Sequence, residues 1–120
     1  MGSDFTGISI VIPYYDDEPC MRKCLDALYA ASLQLSDRDR TRLEIIVADD
    51  ASPRPFSYKD TLIDYCYQRL ENNRGTGAAR NAGADRAIYS HILFVDSDVV
   101  LDKQYLAIVF DILKSREVRV

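Results

Sequence analysis

Three short apolar runs in this chain each lead into a pair of carboxylates. "ISIVI" (Ile8–Ile12) passes through Pro13, Tyr14 and Tyr15 into Asp16 and Asp17. "LEIIVA" (Leu43–Ala48) ends at Asp49 and Asp50, and Ile92–Val95 of "HILFVDSDVVL" ends at Asp96 and Asp98. Largely apolar runs of this length, rich in β-branched residues and bounded by turn residues, read as buried strands. Burying an unpaired carboxylate costs several kcal/mol or forces protonation. The acidic pairs therefore mark where each strand leaves the core.

Between the strands the periodicity changes. Met21, Cys24, Leu25, Leu28 and Leu35 recur at helical spacing, with Asp16 or Asp17 as cap and Pro19 in the first turn. "SDRDR" (Ser36–Arg40) reads as a polar loop, and "ASPRP" (Ala51–Pro55) is turn chemistry. A short helix is expected over Tyr58–Tyr65, then a short edge strand over Tyr67–Leu70. "GTGAARNAG" opens a helix whose Ala78, Ala79, Ala82 and Gly83 permit close approach to a sheet. A last helix beginning near Asp102 carries Leu106, Val109, Phe110 and Leu113 on one face, and Glu117–Val120 is expected to begin another strand.

Strand–helix alternation of this kind implies an α/β fold: a Rossmann-like, open, mainly parallel sheet with helices on both faces. The 120 residues suffice for one domain with one core, so residues 1–120 are read as a single domain, with Met1–Ser3 left out of the fold reading. A strand left uncovered near Val118–Val120 would favour self-association through its edge.

Composition narrows the function classes. The net charge of −4 comes without a basic stripe, which argues against nucleic acid as a partner. No run approaches the ~18 apolar residues of a membrane span, and "MGSDFTG" is not a signal peptide. Cys20, Cys24 and Cys66 are odd in number and lack framework spacing, so reduced thiols and a cytoplasmic location are expected. A cytoplasmic location leaves room for contact with the inner face of a membrane through regions outside this chain.

In open α/β sheets, ligands bind outside the carboxyl ends of the strands. A parallel sheet gathers those ends on one rim, so Asp16, Asp17, Asp49, Asp50, Asp96 and Asp98 would approach one cleft. Such a cluster repels itself unless a cation joins it. Mg²⁺ or Mn²⁺ takes one or two protein carboxylates and leaves positions for substrate phosphates and water. Each motif alone also has a plain reading: a capping turn for Asp–X–Asp, an Asx turn for "DDASP", close helix packing for "GTGAARNAG". Their order at successive strand ends favours a site.

With these stretches in view, the chain resembles the inverting family 2 glycosyltransferases, specifically the nucleotide-binding half of their GT-A fold. "ISIVIPYYDDE", "EIIVADDASP", "ENNRGTGAARNAGADRA" and "HILFVDSDVVL" carry the resemblance across nearly the whole chain. It implies that Pro13 and Tyr14 line the nucleotide base, that Asp50 accepts from the base edge, and that Asp49 assists through the ribose. Asp96 and Asp98 look like the family's DXD motif, Asp98 on Mn²⁺ or Mg²⁺ and Asp96 on the ribose or metal-bound water. Arg80, in "ARN" with Asn81, approaches the donor phosphates or forms a structural ion pair.

Two positions depart from the family's habit: Val99, where many relatives carry a third aspartate, and Asp16, where they usually carry asparagine. The resemblance implies transfer of a sugar from a nucleotide-diphosphate sugar, UDP most often, to a saccharide or lipid hydroxyl. It places the catalytic base beyond Val120, so this chain would be a donor-binding part without a catalytic residue of its own. Other α/β readings fit less well. A receiver domain wants a lysine after its last strand, whereas Lys114 falls on a helix. A dinucleotide-binding domain wants a third glycine where Arg80 stands. A nucleotidyltransferase wants its glycine-rich loop where "PYYDDEP" sits. A non-catalytic sugar-nucleotide sensor or interaction module is the remaining alternative.

Overall fold

The computed structural model describes residues 5–117. Eight elements follow one another: β1 (Ile8–Tyr14), α1 (Glu18–Ser32), α2 (Asp37–Arg40), β2 (Leu43–Asp49), β3 (Cys66–Arg69), α3 (Thr76–Arg86), β4 (His91–Phe94) and α4 (Tyr105–Glu117). The strands form one sheet in the order β3-β2-β1-β4, and every pairing is parallel. Tyr14 pairs with Asp49 and Asp49 with Arg69, so the carboxyl ends of three strands come level on one rim.

Alternation along β1 divides the core. Ile8, Ile10 and Ile12 join Met21, Leu25 and Leu28 of α1 and Leu106 and Phe110 of α4 in one buried cluster. Val11 points to the opposite face. There α3 covers the sheet so closely that a Cβ added at Gly83 would overlap Val11 Cγ1. Helices thus lie on both faces, and the small residues of α3 serve the close approach expected of them.

The expected helix over Tyr58–Tyr65 is not formed; turns and bends occupy this stretch. Its aromatic residues make tertiary contacts instead. Tyr58 OH donates to Asp26 Oδ1 at 2.8 Å, and the Tyr58 N–H donates to Tyr65 OH at 3.1 Å. Conversely, "SDRDR" holds a one-turn helix, capped by Ser36 Oγ accepting from the Asp39 N–H at 3.1 Å. Glu117 ends α4 instead of starting a strand, and Val118–Val120, with the expected association edge, lie outside the described residues. No helix among the described residues is long and apolar enough to cross a membrane.

Candidate functional site

A cleft of about 530 Å³ opens at the carboxyl ends of the strands, lined by residues of four segments. The end of β1 and its following loop supply Pro13, Tyr14, Tyr15 and Asp17, and the end of β2 supplies Asp50. The first turns of α3 supply Thr76, Ala79 and Arg80, and the loop after β4 supplies Asp96, Ser97 and Asp98. Six of the seven residues expected to bind the donor or metal, all but Asp49, therefore meet in one place.

Asp50 is nearly buried, and its carboxylate accepts the N–H groups of Arg74 at 2.7 Å and Gly75 at 2.8 Å. Gly75 has φ 98°, a left-handed conformation that glycine adopts without cost and that turns its N–H toward Asp50. Asn73 Nδ2 donates to the Asp50 carbonyl at 3.1 Å. The end of β2 and the start of α3 are thereby fixed relative to one another, with Asp50 still on the cleft wall.

Asp49 does not line the cleft. It is fully buried, and both carboxylate oxygens are engaged within the protein. Ser52 donates to Oδ1 from its N–H at 2.9 Å and its hydroxyl at 2.6 Å. Tyr67 OH and Arg69 Nη1 donate to Oδ2, the latter at 3.2 Å. Burial by itself would raise the Asp49 pKa; the hydrogen bonds from Ser52, Tyr67 and the Phe56 N–H outweigh it and hold the carboxyl below its ordinary value. In this geometry Asp49 braces the loop after β2, and the expected ribose contact has no open oxygen facing the cleft.

Tyr14 is also more structural than its sequence position suggests. Its ring packs on Phe56 at 5.1 Å between centroids, and its hydroxyl accepts the Asp17 N–H at 3.1 Å. Burial, chiefly, pushes its phenol up to about 12, so it stays protonated. The exposed aromatic at the cleft is the next residue, Tyr15, half exposed to solvent. The sequence motifs do not mark Tyr15, Thr76 or Ser97 as site residues and mark Ala79 only for packing; which of two adjacent tyrosines faces solvent depends on strand register, set by pairing with β2 and β4.

The acidic groups separate in space. Asp17, Asp50, Asp96 and Asp98 reach the cleft, whereas Asp16 lines a neighbouring pocket with Glu18 and Arg54. Arg80 Nη2 lies 3.1 Å from Asp96 Oδ1, both side chains being well exposed. The Asp98 charge reaches the thiol of Cys24, which burial, aided by that charge, pushes up to about 11. Cys24 therefore stays a thiol at neutral pH.

Among the described residues no three His, Cys, Asp or Glu side chains form a cage that would hold a metal by themselves. Asp96 and Asp98 nevertheless fit a hard divalent cation. They are oxygen donors, solvent-accessible, one residue apart at the cleft, and Mg²⁺ or Mn²⁺ completes its shell with water and substrate oxygens.

Residues 9–119 match the family described as glycosyl transferase family 2. The chain belongs to that family. Over 107 residues it is 36% identical to poly(ribitol-phosphate) beta-glucosyltransferase of Bacillus spizizenii, covering 82% of this chain and 16% of the relative. It is 31% identical over 106 residues to the glycosyltransferase GlyA of Streptococcus pneumoniae, covering 82% of this chain and 14% of that one. The crystal structure of Staphylococcus aureus TarS 1–349 superposes with TM-score 0.76 at 26% identity, covering 91% of this chain and 32% of that one. A mannosyltransferase of Pyrobaculum calidifontis, solved with GDP-Man and Mn²⁺, shares the fold at TM-score 0.65 and 20% identity, covering 89% of this chain and 34% of that one. This family 2 chain thus has the GT-A architecture. It spans 14% to 35% of the length of the curated relatives it matches.

Proposed function

We propose that this family 2 chain is the donor-binding part of a glycosyltransferase that transfers a sugar from a nucleotide-diphosphate sugar to an acceptor hydroxyl. The observation that carries the reading is the convergence of Pro13, Asp50, Arg80, Asp96 and Asp98 on one cleft at the carboxyl ends of a parallel sheet. Asp50 and Pro13 flank the base, with Tyr15 as the accessible aromatic wall. Asp98, with Asp96, would hold the metal, Asp96 would also meet the ribose, and Arg80 stands where the diphosphate would lie.

In transfer, the bond between the sugar's anomeric carbon and the diphosphate breaks, and its electron pair leaves with the nucleoside diphosphate. The acceptor oxygen bonds that carbon from the opposite face and gives up its proton to a general base. A bound Mg²⁺ or Mn²⁺ supplies stabilisation of the charge developing on the leaving diphosphate. The residues of this cleft bind and orient the donor and hold the phosphate end. We assign the base to residues outside this chain. We place this chain in the cytoplasm, where Cys20, Cys24 and Cys66 would stay reduced.

Titration calorimetry with UDP, GDP and dTDP in the presence of Mn²⁺ tests the reading. UDP is expected to bind best, and Asp98→Ala is expected to lose most of the metal-dependent affinity. Equal binding by wild type and variant would remove Asp98 from the metal, and binding of none of the three would overturn the reading.

A further inference from the structure

Two loops build one wall of the cleft. The loop after β1 presents Tyr15 and Asp17, and the end of β2 presents Asp50. Each loop contains a non-glycine residue in the left-handed region, Asp16 at φ 45° and Ala51 at φ 58°. Such a conformation is unfavourable for residues with a Cβ and persists where the surroundings determine it.

The surroundings here are a chain of hydrogen bonds that begins at the sheet's edge. Arg69 Nη1 and Tyr67 OH, from β3, donate to Asp49 Oδ2. Asp49 Oδ1 accepts both the N–H and the hydroxyl of Ser52. Ser52 Oγ, its one proton committed to Asp49, accepts the Asp16 N–H at 2.8 Å. Arg69 Nη2 also donates to the Ser52 carbonyl at 2.6 Å. Ser52 and Asp49 are both fully buried, so water does not substitute for these partners.

We infer that Ser52, Tyr67 and Arg69, none of which lines the cleft, are positioning residues for donor binding. They act through Asp49 to hold the loop after β1 against the loop after β2. This rests on the reading of the cleft as a nucleotide-sugar site. An Asx turn closed by Asp49 on the Ser52 N–H would need neither the Ser52 hydroxyl nor β3. What goes beyond a turn is the second use of that hydroxyl. It reaches from the β2 side to the backbone of Asp16, whose left-handed conformation sets where Tyr15 and Asp17 project. The edge strand, remote from the cleft in sequence and not part of its wall, thereby governs the wall's shape.

The test uses Ser52→Ala, which removes the hydroxyl and leaves the Ser52 N–H on Asp49. Tyr67→Phe, on the half-buried edge strand, serves as a second variant that removes one bond further back. Three readouts are taken on the 120-residue chain: UDP affinity with Mn²⁺, the thermal midpoint, and residue-resolved amide hydrogen exchange without ligand. Expected for Ser52→Ala is about tenfold weaker UDP binding, the factor that loss of one buried hydrogen bond implies. The Asp16 amide should exchange faster while amides of β1 keep their protection, and Tyr67→Phe should show the same pattern more weakly. Unchanged Asp16 exchange, or wild-type UDP affinity with only a lowered midpoint, would show that the network merely staples the loop and would overturn the inference. Wild-type protein that binds no nucleoside diphosphate would instead sink the reading of the cleft, and this assignment with it.

Discussion

The carboxylate of Asp50 accepts the backbone N–H of Gly75 at 2.8 Å, joining the end of β2 to the residue that precedes α3. Its other oxygen accepts from Arg74 in the same way. An amide side chain has only one acceptor oxygen. Asp50→Asn therefore leaves at least one of the two N–H groups without its charged partner and brings an NH₂ donor toward the other. Denaturant unfolding is expected to show a loss of about 1–3 kcal/mol, the usual cost of stranding such a group. Calorimetry should show weakened UDP binding together with it, because the same side chain faces the cleft.

Gly83 is set by packing. A methyl group there would overlap Val11 Cγ1 on the covered face of β1. Gly83→Ala is expected to destabilise the chain by about 1–3 kcal/mol, despite alanine's better helix propensity. Thermal unfolding of this variant beside Ala82→Ser on the same helix separates the packing effect from propensity.

Asp39 and Asp49 give the stability a definite dependence on acid. Burial alone would raise the Asp39 pKa, but hydrogen bonds from Lys114 and Arg42 outweigh it and hold the carboxyl below its ordinary value. Asp49 is held down in the same way by Ser52 and Tyr67. A carboxyl depressed in the folded state stabilises it above the unfolded pKa of about 3.9 and ceases to do so as pH falls through the folded value. Stability should thus be nearly flat from neutrality to about pH 5 and then fall steadily with further acid. In Asp39→Asn, urea unfolding at successive pH values should show lower stability at neutrality and a shallower acid slope.

Arg80 and Asp96 form an exposed pair at 3.1 Å, and exposed pairs contribute about 0–1 kcal/mol. Arg80→Ala is expected to lower the thermal midpoint by no more than about 4 °C. If Arg80 meets the donor diphosphate, the same variant should weaken UDP more than it weakens uridine. Equal losses for UDP and uridine would assign Arg80 to the wall of the cleft instead of the phosphates.

Most of the sheet was legible because its strands are short apolar runs closed by charge. Ile8–Ile12, Leu43–Ala48 and the weakly marked Tyr67–Leu70 all fall on strands, within a residue or two at their ends. The placement of the acidic residues on one rim followed from the same alternation. What could not be read was which carboxylates face outward. Asp49 and Asp50 are neighbours in sequence, yet one turns into the protein toward Tyr67 and Arg69 and the other toward Arg74 and Gly75. Those partners lie about twenty residues away, so no local pattern marks them. The missed helix at Asp37–Arg40 did have a local signal, since Ser36 and Asp39 stand at capping-box spacing. The helix expected at Tyr58–Tyr65 gives way to tertiary contacts, the Tyr58 hydroxyl donating to Asp26 and the Tyr65 hydroxyl accepting the Tyr58 backbone N–H.

Where a metal–nucleotide complex sits on the chain is measured most directly by paramagnetic broadening of backbone amide signals on adding Mn²⁺ and UDP. Selective loss of signals from Asp96–Asp98, with weaker broadening at Tyr15–Asp17 and Thr76–Arg80, is the expected result, and Asp98→Ala should abolish it. Broadening that leaves Asp96–Asp98 untouched, or that persists unchanged in Asp98→Ala, would contradict a donor site at this cleft.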